Sequence, residues 1–175
     1  MVIAFGPVDQ AGLVVPGQRR DLLGNDLVLI AHGTGASPVE IGPELDLAAL
    51  LGGGMLSMAM VDSVPAGQYG KEALENLGLW ATVEGAVAQS ENVRAALALV
   101  ATGEAPYGIV YASDAVADET VSVVATFPEN SHQPITYPAA LLNSAADPAD
   151  RAFLEALSAA AADAKFAEQG FLVLN

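Results

Sequence analysis

The chain has 175 residues, and its 21 acidic side chains against 6 basic ones give a formal net charge of −15. A pI near 4.1 argues against nucleic acid or anionic lipid as partners, since both select basic surfaces, and the absence of cysteine excludes disulfides, iron–sulfur clusters and thiolate zinc sites. With 53% hydrophobic residues and a mean hydropathy of +0.42, the chain has material for a real core and a length suited to one medium domain or two small lobes.

Residues 1–7 lack the basic region and apolar run of a signal peptide, and no stretch reaches the ~18 apolar residues of a membrane helix. Residues 8–24 are expected to form a short helix closed by Leu22 and Leu23 and stopped by Gly24. Residues 27–31 are an unbroken apolar run between Asn25-Asp26 and His32-Gly33-Thr34-Gly35, the pattern of a buried strand. Asp46 opens a short helix that ends at Gly52-Gly53-Gly54, and residues 55–60 read as a strand. Pro65-Ala66-Gly67 opens a helix ended by Gly78; Ser90-Glu91-Asn92 opens another, ended by Gly103. Strands are expected at residues 107–111, 121–127 and 135–142, with a polar, Pro-flanked link at 128–134. Asp147-Pro148 starts one long Ala-rich helix to about Glu168, with Phe153, Leu157 and Ala161 as its apolar stripe. Gly170 stops it before a closing strand at 171–174. Alternating strands and helices imply an α/β fold with a largely parallel sheet. The links at 24–26 and 128–134 divide the chain into a middle part and two end parts.

The residues offer little for catalysis. His32 and His132 are the only histidines, and each lies in an expected loop. With Asp114 they are the only candidates for acid–base work, but no nucleophile elbow, Walker A pattern or His-x-x-x-His motif accompanies them. His32-Gly33-Thr34-Gly35 continues into Ala36-Ser37-Pro38, so it reads as a plain turn rather than a dinucleotide fingerprint. The helix starts at Pro65-Ala66-Gly67 and Glu91-Asn92-Val93 are more informative. The first N–H groups of a helix have no internal partner and carry partial positive charge. They can hold an oxyanion without a basic side chain. Gly67 permits close approach, and Tyr111, at the carboxyl end of a strand, adds a phenolic donor where ligands sit in open α/β sheets. By spacing alone such helix starts are common to every α/β protein.

Several strings give these residues a context. Arg20-Asp21-Leu22-Leu23-Gly24-Asn25-Asp26, Val64-Pro65-Ala66-Gly67-Gln68-Tyr69-Gly70, Leu77-Gly78-Leu79-Trp80 and Asn92-Val93-Arg94 are followed by Gly108-Ile109-Val110-Tyr111-Ala112-Ser113-Asp114-Ala115 and Phe127-Pro128-Glu129-Asn130-Ser131-His132. Phe153-Leu154 and Gly170-Phe171 complete the series. In this order, from about residue 15 to the end, they resemble the periplasmic molybdate-binding proteins of ABC transporters. The resemblance implies a periplasmic-binding-protein-like, two-lobe α/β architecture with mainly parallel sheets. Residues 25–133 would be a complete second lobe, and 1–24 with 134–175 a remnant of an incomplete first lobe. It implies a periplasmic, non-enzymatic protein that binds molybdate or tungstate for an ABC importer, with the permease as partner and no cofactor. The family's contacts fall on the backbone N–H groups of Ala66 and Val93 and the hydroxyl of Tyr111, with no side chain on the metal itself. The segment that supplies two serines to the ligand in that family has no counterpart here. The resulting open edge of the first lobe would favour homo-oligomers. The alternatives are a regulatory or interaction domain on the same fold, or a fragment that does not bind.

Overall fold

The computed structural model describes residues 6–174. The expectation for residues 1–7 lies mostly outside them. In chain order the elements are α1 (Gly6–Gln10), β1 (Val14–Asn25), β2 (Leu27–His32), α2 (Leu47–Leu51), β3 (Leu56–Ala59), α3 (Pro65–Asn76), α4 (Trp80–Val83) and β4 (Val87–Ser90). There follow α5 (Val93–Ala101), β5 (Tyr107–Tyr111), α6 (Ala112–Val116), β6 (Val121–Thr126), β7 (Ile135–Leu142), α7 (Pro148–Ala156), α8 (Ala160–Glu168) and β8 (Leu172–Val173). The chain forms two compact units, one of Asp26–Pro134 and one of the segments on either side of it. No helix among the described residues is long and apolar enough to cross a membrane.

The middle unit is built on a five-stranded sheet in the order β4-β3-β5-β2-β6. Every residue of Leu27-Val28-Leu29-Ile30-Ala31 is buried, as an unbroken apolar run requires of a strand covered on both faces. Side chains alternate across a sheet, and the neighbours of two glycines show what covers each face. A Cβ on Gly70 of α3 would meet Met58 and Ile109, whereas one on Gly108 of β5 would meet Ser57 and Val100 of α5. Helices α3 and α5 therefore pack on opposite faces. One core cluster joins Val28, Ile30 and Val110 of the sheet to Leu97 and Val100 of α5 and Ala115 of α6.

Strand direction differs from the expected parallel sheet in one respect. β3 is parallel to β4 and to β5, but β2 lies antiparallel between β5 and β6. The β5–α6–β6 crossover places its two strands one position apart, and β2 fills the slot running the other way. Four of the five strands thus point in one direction.

The other unit departs further. Its sheet, in the order β7-β1-β8, is antiparallel throughout. The helix expected at residues 8–24 is instead the strand β1 over most of its length. Val14, Val15 and Pro16 disfavour a helix, Gly17 takes a φ of 72°, and the segment pairs with β7 through two register shifts. The long helix expected to Glu168 is two helices. α7 starts with a capping box between Asp147 and Asp150. The chain leaves the helical path near Ser158, whose hydroxyl accepts a hydrogen bond of 3.0 Å from Arg20. The apolar stripe shifts with it: Leu154 is buried while Phe153 is 65% exposed.

Candidate functional site

Strands β4, β3 and β5 are neighbours and run the same way, so their carboxyl ends form one edge of the sheet. Adjacent strands lie about 4.8 Å apart. The three residues singled out in the sequence each follow one of these ends. Ala66 stands in the first turn of α3, which follows β3; Val93 is the first residue of α5, which follows β4; Tyr111 is the last residue of β5. Val93 and Ala112, the residue after Tyr111, also pack against the same core cluster.

Local bonds hold these ends in place. The Met60 N–H donates to the Ser90 carbonyl at 2.8 Å, and the Val61 N–H donates to Gln89 Oε1 at 3.0 Å, which ties the end of β3 to that of β4. Ser57, wholly buried, donates to the Ala96 carbonyl at 2.8 Å and anchors α5 on β3. The Ala112 N–H donates to the Asp26 carbonyl at 2.9 Å beside the Leu27–Tyr111 pair. Gly67 has the tightest fit of all. A Cβ there would run into the carbonyl oxygens of Ala59 and Met60, so only glycine lets the first turn of α3 lie directly on the end of β3.

The two helix tips differ in their free donors. No side chain caps α3. Pro65 has no N–H and the Gln68 N–H bonds the Val64 carbonyl at 2.9 Å, so the N–H groups of Ala66 and Gly67 are the ones without a partner inside the helix. In α5 the Asn92 side chain accepts the Ala95 N–H at 2.9 Å, and the Ala96 N–H bonds the Asn92 carbonyl at 3.2 Å. The N–H groups of Val93 and Arg94 remain without an intrahelical partner. Each tip carries the partial positive charge of a helix start.

Formal charges around these tips are few and of opposite sign. The middle unit holds 14 acidic residues and 2 basic ones, Lys71 and Arg94. Lys71 is 3.7 Å from Asp62 and its ammonium lies 5.5 Å from the centre of the Trp80 ring. Arg94 is exposed in the first turn of α5. Asp114, the third residue of α6, has one buried oxygen, Oδ2, that accepts no hydrogen bond. Burial holds its carboxyl above the usual aspartate range, while the Arg94 charge and a hydrogen bond from the Tyr111 peptide pull the other way.

The acid–base candidates do not converge. Ala31 pairs with Tyr107 at the start of β5 and Leu27 with Tyr111 at its end, so His32 lies at the opposite end of the sheet from Tyr111 and Asp114, roughly 15 Å away at ~3.3 Å per residue. Its Nδ1 is 2.9 Å from the Val100 carbonyl oxygen. His132 packs edge-on against Tyr69 with ring centres 5.9 Å apart. The clamps made by Ser57 and Gln89 went unread in the sequence. A serine inside the apolar run at 55–60 was the available signal for the first.

Residues 5–172 match the family model described as bacterial extracellular solute-binding protein. The chain belongs to this family. Within it, the sequence is 44% identical over 89% of its length to the molybdate-binding protein ModA of Escherichia coli, and 41% identical over 94% to that of Haemophilus influenzae. It spans 61% and 65% of those two solute-binding proteins. Among solved structures, the substrate-binding domain of a putative molybdenum ABC transporter from Clostridium difficile superposes with a TM-score of 0.83 at 29% identity, covering 97% of this chain and 72% of that one. The periplasmic molybdate-binding protein of Azotobacter vinelandii shares the fold, with a TM-score of 0.73 at 21% identity and coverage of 97% and 74%.

Proposed function

We propose that this solute-binding protein takes up molybdate or tungstate as the substrate-capturing component of an ABC importer, outside the cytoplasmic membrane, delivers it to the transporter's permease, and performs no chemistry on it. The middle unit corresponds in this reading to a whole lobe of a two-lobe binding protein, and the remainder to part of the other lobe. The donors are the N–H groups of Ala66 and Val93 and the hydroxyl of Tyr111. The observation that carries the reading is the uncapped tip of α3, seated by Gly67 on the end of β3, with the α5 tip and Tyr111 following the two flanking parallel strands. The names of the curated relatives supply the ligand.

A net charge of −15 does not oppose this. Peptide dipoles at close range decide whether an anion is held, and net charge acts mainly on encounter. A desolvated dianion requires several converging donors, and two amides with a phenol meet part of that need without a cation.

Calorimetric titration of the full chain with molybdate, tungstate and sulfate tests the reading. Saturable heat with the two metal oxyanions is the expected result, and no heat with any of the three rejects it. Tyr111→Phe removes one hydrogen bond to a charged group, worth ~1.5–3 kcal/mol, so the dissociation constant should rise at least about tenfold. An unchanged constant removes Tyr111 from the site.

A further inference from the structure

Helix α3 holds more than the Ala66 tip. Its side chains Tyr69, Glu72 and Asn76 follow one another at spacings of three and four, so they line one stripe of the helix. Each engages one residue of the run Ser131-His132-Gln133, in the link that leaves the middle unit. Asn76 Nδ2 donates to the Ser131 carbonyl at 2.9 Å. The Gln133 N–H donates to Glu72 Oε2 at 3.2 Å. Tyr69 meets the His132 ring edge-on. Pro134 then closes the middle unit, and Ile135 opens β7. The other passage between the units, Asn25-Asp26, is tied to the end of β5, where the Ala112 N–H donates to the Asp26 carbonyl beside the Leu27–Tyr111 pair. Both passages are therefore bonded to an element that carries a proposed donor: Tyr111 in one case, the Ala66 helix in the other.

The two passages are held differently. The first is fixed by main-chain bonds inside a buried sheet. The second depends on side chains of a helix that other residues already seat. Gly67 lies on the carbonyls at the end of β3, Gly70 on Met58, and Ala73 and Leu74 are buried. The Glu72–Gln133 bond is exposed, and Asn76 is an exposed residue. Such bonds compete with water and open at low cost. A marginal clamp on a well-seated helix responds to whatever steadies that helix.

We infer that Tyr69, Glu72 and Asn76 are positioning residues, which tie residues 131–133 to the oxyanion-binding helix so that a ligand at the Ala66 tip and order in the link strengthen each other. This rests on the reading proposed above. Glu72 and Asn76 stand about 9 Å and about 15 Å along the axis from Ala66 at 1.5 Å per residue. They act through the helix and not on the ligand. Linkage makes the effect reciprocal: a ligand that steadies the clamp binds more weakly once the clamp is cut.

The experiment joins amide hydrogen exchange, with and without molybdate, to calorimetric titration with molybdate. It uses the full chain and the variants Glu72→Ala, Glu72→Gln and Asn76→Ala. In the parent, molybdate should slow exchange at the Gln133 amide about three- to tenfold. Glu72→Ala removes the acceptor of that amide. It should abolish the slowing and raise the dissociation constant about two- to fivefold. Asn76→Ala should raise the constant by a similar factor. Glu72→Gln keeps an acceptor oxygen and should restore both readings to within about twofold of the parent. A clamp kept for stability alone predicts otherwise: alanine variants that unfold at lower urea with the parent's affinity would overturn the inference. Slowing at Gln133 that persists in Glu72→Ala would overturn it as well. Should Glu72→Ala not fold, the parent and Asn76→Ala decide, and an affinity of Asn76→Ala equal to the parent's overturns it. A parent chain that takes up no molybdate fails the functional reading and this inference with it. A parent that binds while its Gln133 amide exchanges unchanged fails this inference only.

Discussion

The two units reach compactness by different routes. In Asp26–Pro134, β3 is buried throughout, β2 at every residue but His32 and β5 at its three middle residues, and helices cover both faces of the sheet. The other unit has a narrower antiparallel sheet, and Leu13, Leu142, Phe153, Leu172 and Leu174 leave 40–65% of their surface in water. A groove of about 560 Å³ between β7 and α7, lined by Leu141, Leu142, Phe153 and Leu154 among others, belongs to the same unit. Charge divides the opposite way: the middle unit holds 14 acidic residues against 2 basic ones, the other unit 7 against 4. Net negative charge therefore concentrates where the candidate site lies, and exposed large apolar side chains are denser in the other unit, although Met55, Met60, Val116 and Val123 of the middle unit are 39–53% exposed as well.

Paired truncations should expose this contrast most strongly. Leu29→Ala in β2 opens a cavity in a strand that is 1% exposed there and should cost ~2–5 kcal/mol. Leu172→Ala in β8, 41% exposed, should stay within ~1 kcal/mol. Trp80 is the only tryptophan and lies in the middle unit, so its fluorescence during urea unfolding reports that unit. Its transition should move to lower urea for Leu29→Ala and hold still for Leu172→Ala. Equal shifts would mean that the two units unfold as one.

Next in size is Gly67→Ala. Its new methyl meets backbone carbonyls that cannot swing aside, at a cost of ~1–3 kcal/mol, and displacing the α3 tip should abolish oxyanion uptake. Gly85→Ala, whose methyl would meet nothing within 4 Å, should leave both properties intact. Loss of binding in the Gly85 control would break the link between the close approach and the site.

Reading the sequence alone succeeded where the signal is local. The apolar run at 27–31 and the helix starts at Asp46, Asn92 and Asp147 need no distant partner to be interpreted, and each of those three side chains accepts an N–H from the first turn of its helix. β1 was misread although Val14, Val15 and Pro16 argue locally against a helix; its length and register come from pairing with β7, more than a hundred residues later. The reversed direction of β2 is likewise invisible, since polarity within a sheet leaves no trace in composition. Of the candidate site, the helix starts and the strand-end tyrosine were legible as types. Their arrival on one edge depends on strand order.

The smallest predicted effect concerns Asp114 of α6, with its unpartnered buried oxygen. Burial raises its carboxyl pKa in the folded state, so the fold binds this proton more tightly than the unfolded chain does. The associated stability is present below the unfolded pKa and is lost as pH rises through the folded one. At neutral pH the ionised carboxylate is a burden, and Asp114→Asn should raise the melting temperature slightly. The gain should disappear as pH falls through the range in which Asp114 takes up its proton. A thermal melt series from neutral to acid checks this, and a gain that grows toward acid would reverse the assignment.

The proposed use of main-chain donors has a further consequence for mapping this surface by mutagenesis. An N–H belongs to the backbone, and trading the Ala66 or Val93 side chain for another leaves it in place. Alanine scanning would pass over both positions in silence and, of the three proposed donors, register the phenol alone. The footprint becomes visible only to methods that edit the peptide group itself, such as ester-for-amide replacement, or that watch amide protons directly.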